Sequence, residues 1–80
     1  MNWVYIPYST ALDSYYVGET AYLEERLFRH NHSGSKSTKK VKDWTLVHRE
    51  EFASRSEAVR REREIKAKKS RAHLERLIKQ

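Results

Sequence analysis

The spacing of apolar residues changes along the chain, and the first part of it is typical of strands. Residues 3–8 and 15–17 are rich in β-branched and aromatic side chains, which favour a pleated strand. A polar connection of about six residues separates them, as in a hairpin with a longer loop. Pro7 has no backbone N–H to donate to a sheet, so we expect it at the end or edge of its strand. Gly18 is expected to end the second strand.

Helical spacing begins at about residue 20. Thr20 can cap a helix, and Leu23 and Leu27 follow one turn apart, so a helix is predicted over 20–31 with both leucines facing the core. The next apolar segment, 44–52, has an imperfect alternation that predicts a third strand.

Two further helices are predicted near the end of the sequence. Ser54 and Glu57 have the spacing of a capping box, in which each side chain bonds to the backbone N–H of the other residue. This predicts a helix over 55–68. Ser70 can cap a last helix over 71–79. The elements together predict an α+β fold, in which a three-stranded antiparallel sheet is flanked by three helices in the order β-β-α-β-α-α.

Length and composition limit what this fold can contain. A chain of 80 residues buries only about 60% of its unfolded surface, so we expect one domain over 1–80. The absence of cysteine excludes disulfides and thiol chemistry, and it is compatible with the cytoplasmic location that we predict. No apolar segment approaches the roughly 18 residues of a membrane span, and the start of the chain lacks the pattern of a secretory signal.

Charge is distributed unevenly along the sequence. Residues 1–30 have a net charge of −2 and residues 31–80 a net charge of +8. A basic excess of this kind suggests a nucleic-acid partner, with a merely solubilising surface as the alternative. The candidate contacts are Lys36, Lys39, Lys40, Lys42, Arg61 and Lys66.

One carboxylate lies where packing does not explain it. Glu62 shares a helix face with Ala58 and Ile65, the face that is expected to be buried. A carboxylate in that position has to be paired, hydrogen-bonded or bound to a cation. An ion pair within the helix, for example with Lys66, is the structural alternative to a functional site.

A second group of candidates comes from the first thirty residues. Tyr5 and Tyr16 lie on paired strands, so both hydroxyl groups could point into one cleft, although packing in the core is the alternative. Arg26 and His30 are four residues apart on the first predicted helix, where they could present a guanidinium and an imidazole side by side. A guanidinium suits the bidentate recognition of phosphate, and the alternative is a solvated helix face.

These residues belong to a longer pattern. Val-Tyr at 4–5, ten further residues and Tyr-Val-Gly at 16–18 resemble the two-part signature of the GIY-YIG nuclease family. The strings at 23–31 and 52–66 extend the resemblance over nearly the whole chain. They are similar to the short, stand-alone bacterial branch of that family.

The resemblance implies metal-dependent hydrolysis of DNA phosphodiester bonds. Tyr5 and Tyr16 match the two signature tyrosines, which would orient or deprotonate the attacking water. Gly18 matches the glycine that lets the backbone turn and approach the substrate. Arg26 matches the arginine that would stabilise charge on the phosphate, and His30 matches an accessory position that would assist the leaving group or position the phosphate.

The resemblance also implies a metal site. Glu62 matches the single carboxylate that would hold Mg²⁺ or Mn²⁺. Glu64 is the competing assignment, and the inward face of the helix favours Glu62. We therefore expect a monomeric endonuclease acting on DNA, in repair or processing, with target choice left to DNA shape or a protein partner. The alternatives are a non-catalytic nucleic-acid-binding module and a structural or partner-binding domain.

Overall fold

The computed structural model of the chain describes residues 1–32 and 42–79. The described residues form an antiparallel sheet and three helices. The elements are β1 (Asn2–Ser9), β2 (Ser14–Tyr15), β3 (Gly18–Thr20), α1 (Leu23–His32), β4 (Trp44–Phe52), α2 (Arg55–Lys68) and α3 (Arg71–Ile78). This arrangement confirms the predicted α+β fold.

The central strand of the sheet is β1. β4 runs antiparallel along one edge of β1 from Asn2 to Ser9. The other edge of β1 is shared by β2, which pairs at Tyr8, and β3, which pairs at Tyr5. β2 and β3 are therefore two pieces of one strand position, and the sheet has the three positions that the sequence predicts.

The break between β2 and β3 falls at Tyr16 and Val17. The sequence predicted a continuous strand ending at Gly18, and this is wrong, because Gly18 instead begins β3 opposite Tyr5. The Tyr16 backbone N–H still donates to the Pro7 carbonyl at 3.0 Å, so both pieces stay on the same edge. Outside regular pairing, Val17 packs into the core, whereas Tyr16 is half-buried at the sheet edge.

Pro7 lies inside the central strand, and the expectation of a strand end or edge is wrong. The pairing between β1 and β4 shifts register at this point, so that Ile6 faces His48 and Pro7 faces Leu46. Val47 is left as an extra residue in β4. A bulge of this kind accommodates proline because no ladder hydrogen bond is required of its missing N–H.

The two faces of the sheet are covered by different helices. Val4 and Ile6 point from β1 toward α2 and α3, and the buried apolar residues of this face are Val4, Ile6, Val17, Ala58, Ile65 and Leu77. Side chains alternate along a strand, so Tyr5 points to the opposite face, where it meets His30 of α1. The sheet edge at β2 and β3 is where these two faces come together.

Side-chain caps fix the starts of the last two helices. The Ser54 hydroxyl accepts the Glu57 backbone N–H at 3.3 Å, and the two side chains also bond to each other at 3.0 Å. The Ser70 hydroxyl accepts the His73 backbone N–H at 3.2 Å. The predicted helix over 55–68 is confirmed in both of its bounds.

The first helix begins later than the sequence predicted. Thr20 pairs with Trp3 in the sheet, so it belongs to β3, and α1 starts at Leu23. The Thr20 hydroxyl accepts the Tyr22 backbone N–H at 3.0 Å. The capping signal at Thr20 thus marks the turn into the helix and not its first residue.

Candidate active site

Four side chains form an aromatic cluster between the sheet and α1. They are Tyr5, Tyr16, His30 and Trp44. The ring centroids of Tyr16 and His30 lie 4.8 Å apart, and those of Tyr5 and Tyr16 lie 6.1 Å apart. Trp44, the first residue of β4, lies 5.9 Å from His30. Tyr16 is half-buried and the other three are buried, so Tyr16 is the member that reaches the surface.

Tyr5 and His30 are joined by a buried hydrogen bond. The Tyr5 hydroxyl lies 2.9 Å from Nε2 of His30, and the two residues are 0% and 4% exposed. Burial raises the pKa of Tyr5 well above its ordinary value, and the neighbouring Tyr16 raises it further. Tyr5 therefore keeps its proton at neutral pH. A phenolate at Tyr5, which deprotonation of water would require, is disfavoured in this state.

Burial also sets the protonation state of His30. It lowers the pKa of the imidazole, and the Arg26 guanidinium lowers it further. The neutral ring is therefore favoured at neutral pH, and it shares a hydrogen bond with the Tyr5 hydroxyl through Nε2. Nδ1 is buried and has no hydrogen-bond partner among the described residues.

Two charged candidate residues, Arg26 and Glu62, affect the pKa of the Tyr5 hydroxyl. Arg26, from α1, lowers the pKa of Tyr5, and Glu62, from α2, raises it. By position, Arg26 lies one helical turn before His30, which bonds to the Tyr5 hydroxyl. Glu62 is linked to the aromatic cluster through Lys66, whose ammonium pairs with Glu62 and lies over the Tyr16 ring.

The two competing carboxylates lie on different sides of α2. The Glu62 side chain is 21% exposed and lies on the side of the tyrosines. Glu64 is exposed and lies with Arg60 and Arg63 along the outer surface of the helix. The two-residue step along a helix separates these carboxylates widely, and Glu62 is the one near the cluster.

Lys66 pairs with Glu62 and lies over Tyr16. Its Nζ is 3.1 Å from Oε2 of Glu62 and 6.0 Å from the Tyr16 ring centroid. The ion pair that the sequence offered as a structural alternative is therefore formed. Because the Lys66 side chain is 53% exposed, its ammonium remains accessible from solvent.

Gly18 leaves room for both tyrosine rings. An added Cβ would lie 2.8 Å from Cε1 of Tyr16 and 2.8 Å from both Cε1 and the hydroxyl oxygen of Tyr5. Because both atoms lie 2.8 Å from the same point, the Tyr5 hydroxyl oxygen and Cε1 of Tyr16 are separated by at most twice 2.8 Å. The sequence assigned Gly18 to a backbone turn toward the substrate, whereas the structure gives it the role of a spacer.

One protein family matches nearly the whole chain. Residues 1–76 match the family described as the GIY-YIG catalytic domain. The chain belongs to the GIY-YIG family. It therefore falls within a family of nucleases that act on DNA and that are generally metal-dependent.

Small proteins of one group are similar to this GIY-YIG chain. The UPF0213 protein NP_0776A of Natronomonas pharaonis is 41% identical over 78 residues, covering 96% of this chain and 89% of that protein. The UPF0213 protein SH2523 of Staphylococcus haemolyticus is 47% identical over 55 residues, covering 68% and 67%. The solution NMR structure of the UPF0213 protein BH0048 from Bacillus halodurans has a TM-score of 0.62 at 34% identity. It covers 99% of this chain and 84% of that one.

The donor set of this GIY-YIG site fits a hard divalent cation. Among residues 1–32 and 42–79, no three acidic or histidine side chains form a cluster that could enclose a metal. One partly exposed carboxylate is available at Glu62, and the Lys66 ammonium already occupies a cation position on it. A single carboxylate suits Mg²⁺, which keeps several waters and takes further oxygens from a substrate phosphate.

The residues that the sequence predicts to contact DNA lie in different environments. Lys36, Lys39 and Lys40 lie outside the described residues. Lys42 is exposed just before β4. Arg61 is engaged by Glu50, with Nε 2.8 Å from Oε1 and a terminal nitrogen 3.2 Å from Oε2.

This pairing gives Arg61 a structural role.

Within the part of the chain that is described, no helix is both long and apolar enough to cross a bilayer.

Two residues of the site were missed by the sequence reasoning. Trp44 forms one side of the aromatic cluster, and the Asn31 side chain holds the Trp44 backbone in place. The Asn31 amide accepts the Trp44 N–H at 2.9 Å and donates to the Trp44 carbonyl at 3.0 Å. Asn31 directly follows His30, so this clamp also fixes the end of α1 that carries the imidazole. The sequence signal was weak, because one asparagine beside a histidine has many explanations.

Replacing Asn31 with alanine is expected to destabilise the protein by about 1–3 kcal/mol, because two backbone groups of Trp44 lose their partners. The measurement is the free energy of unfolding in urea. Asn2→Ala, near the other end of β4, is a control that leaves the clamp intact. A loss for Asn31→Ala no larger than that of the control would contradict the role assigned to the clamp.

The buried imidazole predicts a pH dependence of stability. The pKa of His30 is lower in the folded protein than in the unfolded chain, so the unfolded state takes up a proton first as the pH falls. The free energy of unfolding is expected to fall below about pH 6.5, the ordinary pKa of histidine, and on down to the folded pKa. His30→Gln should flatten this slope, and His32→Gln, at an exposed position of α1, should not. An unchanged slope in His30→Gln would contradict the assignment.

Proposed function

We propose that this chain is a metal-dependent endonuclease that hydrolyses phosphodiester bonds in DNA. One observation supports this most: the rings of Tyr5 and Tyr16 lie 6.1 Å apart, and charged residues of two helices border them. Arg26 is one turn from the His30 that bonds to Tyr5, and Glu62 is linked to Tyr16 through Lys66. The attack of water on a phosphate can use each of these groups. The phenols can orient the water, the guanidinium can compensate negative charge, and the carboxylate can hold a cation.

The two tyrosines have different roles toward the attacking water. We propose that Tyr16 orients this water, because it is half-buried whereas Tyr5 is 0% exposed. Tyr5 and His30 lie behind Tyr16 as a hydrogen-bonded pair. The hydrogen bond between them holds the Tyr5 ring against Tyr16, so the pair positions the tyrosine that faces the water. Because His30 is buried, we assign it to this positioning role in place of a direct contact with the leaving group.

The charged residues act on the phosphate. Arg26 can give two parallel hydrogen bonds to its oxygens, and these strengthen as negative charge builds up in the transition state. Glu62 would hold the divalent cation, which supplies charge to the phosphate and acidity to a bound water. Lys66, beside Glu62, can offer its ammonium to a neighbouring phosphate oxygen.

The finer assignments are proposals of the same kind. A single carboxylate favours Mg²⁺ or Mn²⁺ as the ion. Lysine and arginine contacts to phosphates position DNA without reading its sequence. We therefore propose a cytoplasmic monomer that acts in DNA repair or processing, with targets chosen by DNA shape or by a protein partner.

A non-catalytic DNA-binding module is the second candidate. It is favoured by two observations: the Lys66 ammonium occupies Glu62, and the environment of Tyr5 keeps that tyrosine protonated. Such a module would bind DNA with an affinity that falls steeply with salt, and it would cut nothing.

The test is a cleavage panel with the wild-type protein. End-labelled duplex, nicked, branched and single-stranded DNA are incubated with Mg²⁺, with Mn²⁺ or with EDTA. We expect cleavage of at least one substrate with metal and none with EDTA. Salt-dependent binding without cleavage of any substrate would overturn the nuclease proposal in favour of the binding module.

A further inference from the structure

A cavity of about 300 Å³ opens beside the candidate active site. It lies between the sheet edge at β2 and Val17 and the junction of α2 with α3. The apolar part of its wall includes Val17, Ile65 and Leu74. Lys66 lines this cavity and also pairs with Glu62, so a single side chain separates the cavity from the site.

The rim of the cavity is cationic. Lys66, Lys69 and Arg71 line it, and Asp13 is the one carboxylate among its lining residues, which gives a net formal charge of +2. Asp13 is already paired, since a terminal nitrogen of Arg71 lies 2.7 Å from its carboxylate and another lies 2.9 Å from its backbone carbonyl. Arg71 also pairs with Glu75 at 3.2 Å, and Lys66 pairs with Glu62 at 3.1 Å, so the positive charge left over among these residues is that of Lys69.

Lys69 has the clearest opportunity to bind an anion. It forms no ion pair with any residue in the described ranges. Its backbone is fixed in the left-handed region at φ 48°, with its N–H bonded to the Lys66 carbonyl at 3.2 Å. The chain bends here between α2 and α3, so Lys66 and Lys69 both border the same opening.

We propose that this cavity is a nucleotide subsite, which binds the nucleotide next to the one whose phosphate is cleaved. The phosphate would lie on Lys69, next to Lys66, and the base would lie against Val17 and Leu74. Apolar side chains in the wall and the Lys69 ammonium at the rim match a nucleotide, which joins the flat face of an aromatic base to a phosphate. The volume is at the lower end of the range of small-ligand sites, about 300–1,000 Å³. The position of the nucleotide along a cleaved strand rests on the proposed function, but its binding does not.

The experiment is an NMR titration of the wild-type chain with deoxyadenosine 5′-monophosphate. Deoxyadenosine and inorganic phosphate are titrated separately, to distinguish a site for the whole nucleotide from a site for either part. We expect saturable shifts of the Val17, Lys69 and Leu74 amides with the nucleotide. Affinity for either part alone should be weaker by roughly tenfold or more, because one of the two contact types is absent.

A substitution at the rim gives the matched comparison. Lys69→Asn removes the charge with a residue that tolerates the left-handed conformation. It should weaken nucleotide binding about tenfold, the effect of one lost charge-assisted contact. Lys68→Asn removes the same charge from an adjacent residue that does not line the cavity, and it should change affinity less than about twofold.

Two results would overturn the subsite. One is the absence of saturable shifts at the cavity residues in the wild-type protein, which needs no variant to fold. The other is an equal weakening by Lys69→Asn and Lys68→Asn, which would indicate unspecific attraction to basic surface. DNA cleavage without nucleotide binding would reject the subsite alone. Binding here without cleavage of any DNA would reject the nuclease proposal alone.

Discussion

Replacing Glu62 with glutamine is expected to lower the rate of DNA cleavage by at least about a hundredfold, the usual scale for removing a group that stabilises charge in a transition state. The reason is the loss of the carboxylate that is linked to Tyr16 through Lys66 and that we propose holds the cation. Stability should change little, since an exposed i,i+4 ion pair contributes roughly 0.3–0.5 kcal/mol. Single-turnover cleavage rates and thermal unfolding measure the two effects separately.

Glu64→Gln is the matched control for this substitution. It makes the same chemical change two residues further along α2, at an exposed position on the outer surface of the helix. Its cleavage rate should stay within about threefold of the wild type, since an exposed charge away from the reacting atoms contributes little. A large loss in Glu64→Gln with little loss in Glu62→Gln would reverse the assignment of the metal ligand.

Replacing Gly18 with alanine is expected to damage both stability and activity. The new Cβ would lie 2.8 Å from the rings of Tyr5 and Tyr16, and Tyr5 is buried with no free space to move into. Overpacking of this kind costs about 1–3 kcal/mol in the free energy of unfolding. Displacement of catalytic groups by about 1 Å can lower a rate by about a hundredfold.

Urea unfolding and cleavage by the same preparation measure these two losses. Glu19→Ala, the next residue of β3, is the control, because it removes atoms and adds none near the tyrosines. It should lower stability by no more than about 1 kcal/mol, since its ion pair is a 3.5 Å contact with Arg55, whose side chain is 78% exposed. If Gly18→Ala were as stable and as active as the wild type, the tyrosine pair would not need the geometry described above.

Much of the fold could be predicted because local signals and tertiary packing agree. The helix over 55–68 has a serine cap at one end and the buried residues Ala58 and Ile65 on one face, and it is found with its predicted bounds. The same helical spacing predicted that Glu62 lies on the inward side of α2, where its side chain is 21% exposed. The resemblance to GIY-YIG nucleases supplied what periodicity could not, namely which polar residues to propose as one site.

The wrong predictions share a physical cause, since each depends on a tertiary contact that local propensity does not contain. Pro7 is accepted in the central strand because a register shift in β4 removes the need for its N–H. Gly18 continues the sheet because its missing side chain leaves space for two rings. The burial of Tyr5 against His30 joins residues 25 positions apart, and it leaves Tyr16 as the tyrosine of the pair that reaches the surface.

The central claim is that Glu62 holds a divalent cation beside the tyrosine pair, and paramagnetic broadening by Mn²⁺ tests it most directly. In NMR spectra of the wild-type protein, we expect the strongest broadening at Glu62, its helical neighbours and the Tyr16 ring. The broadening should disappear in Glu62→Gln and persist in Glu64→Gln. Broadening centred elsewhere in the protein, or unchanged in Glu62→Gln, would contradict the claim.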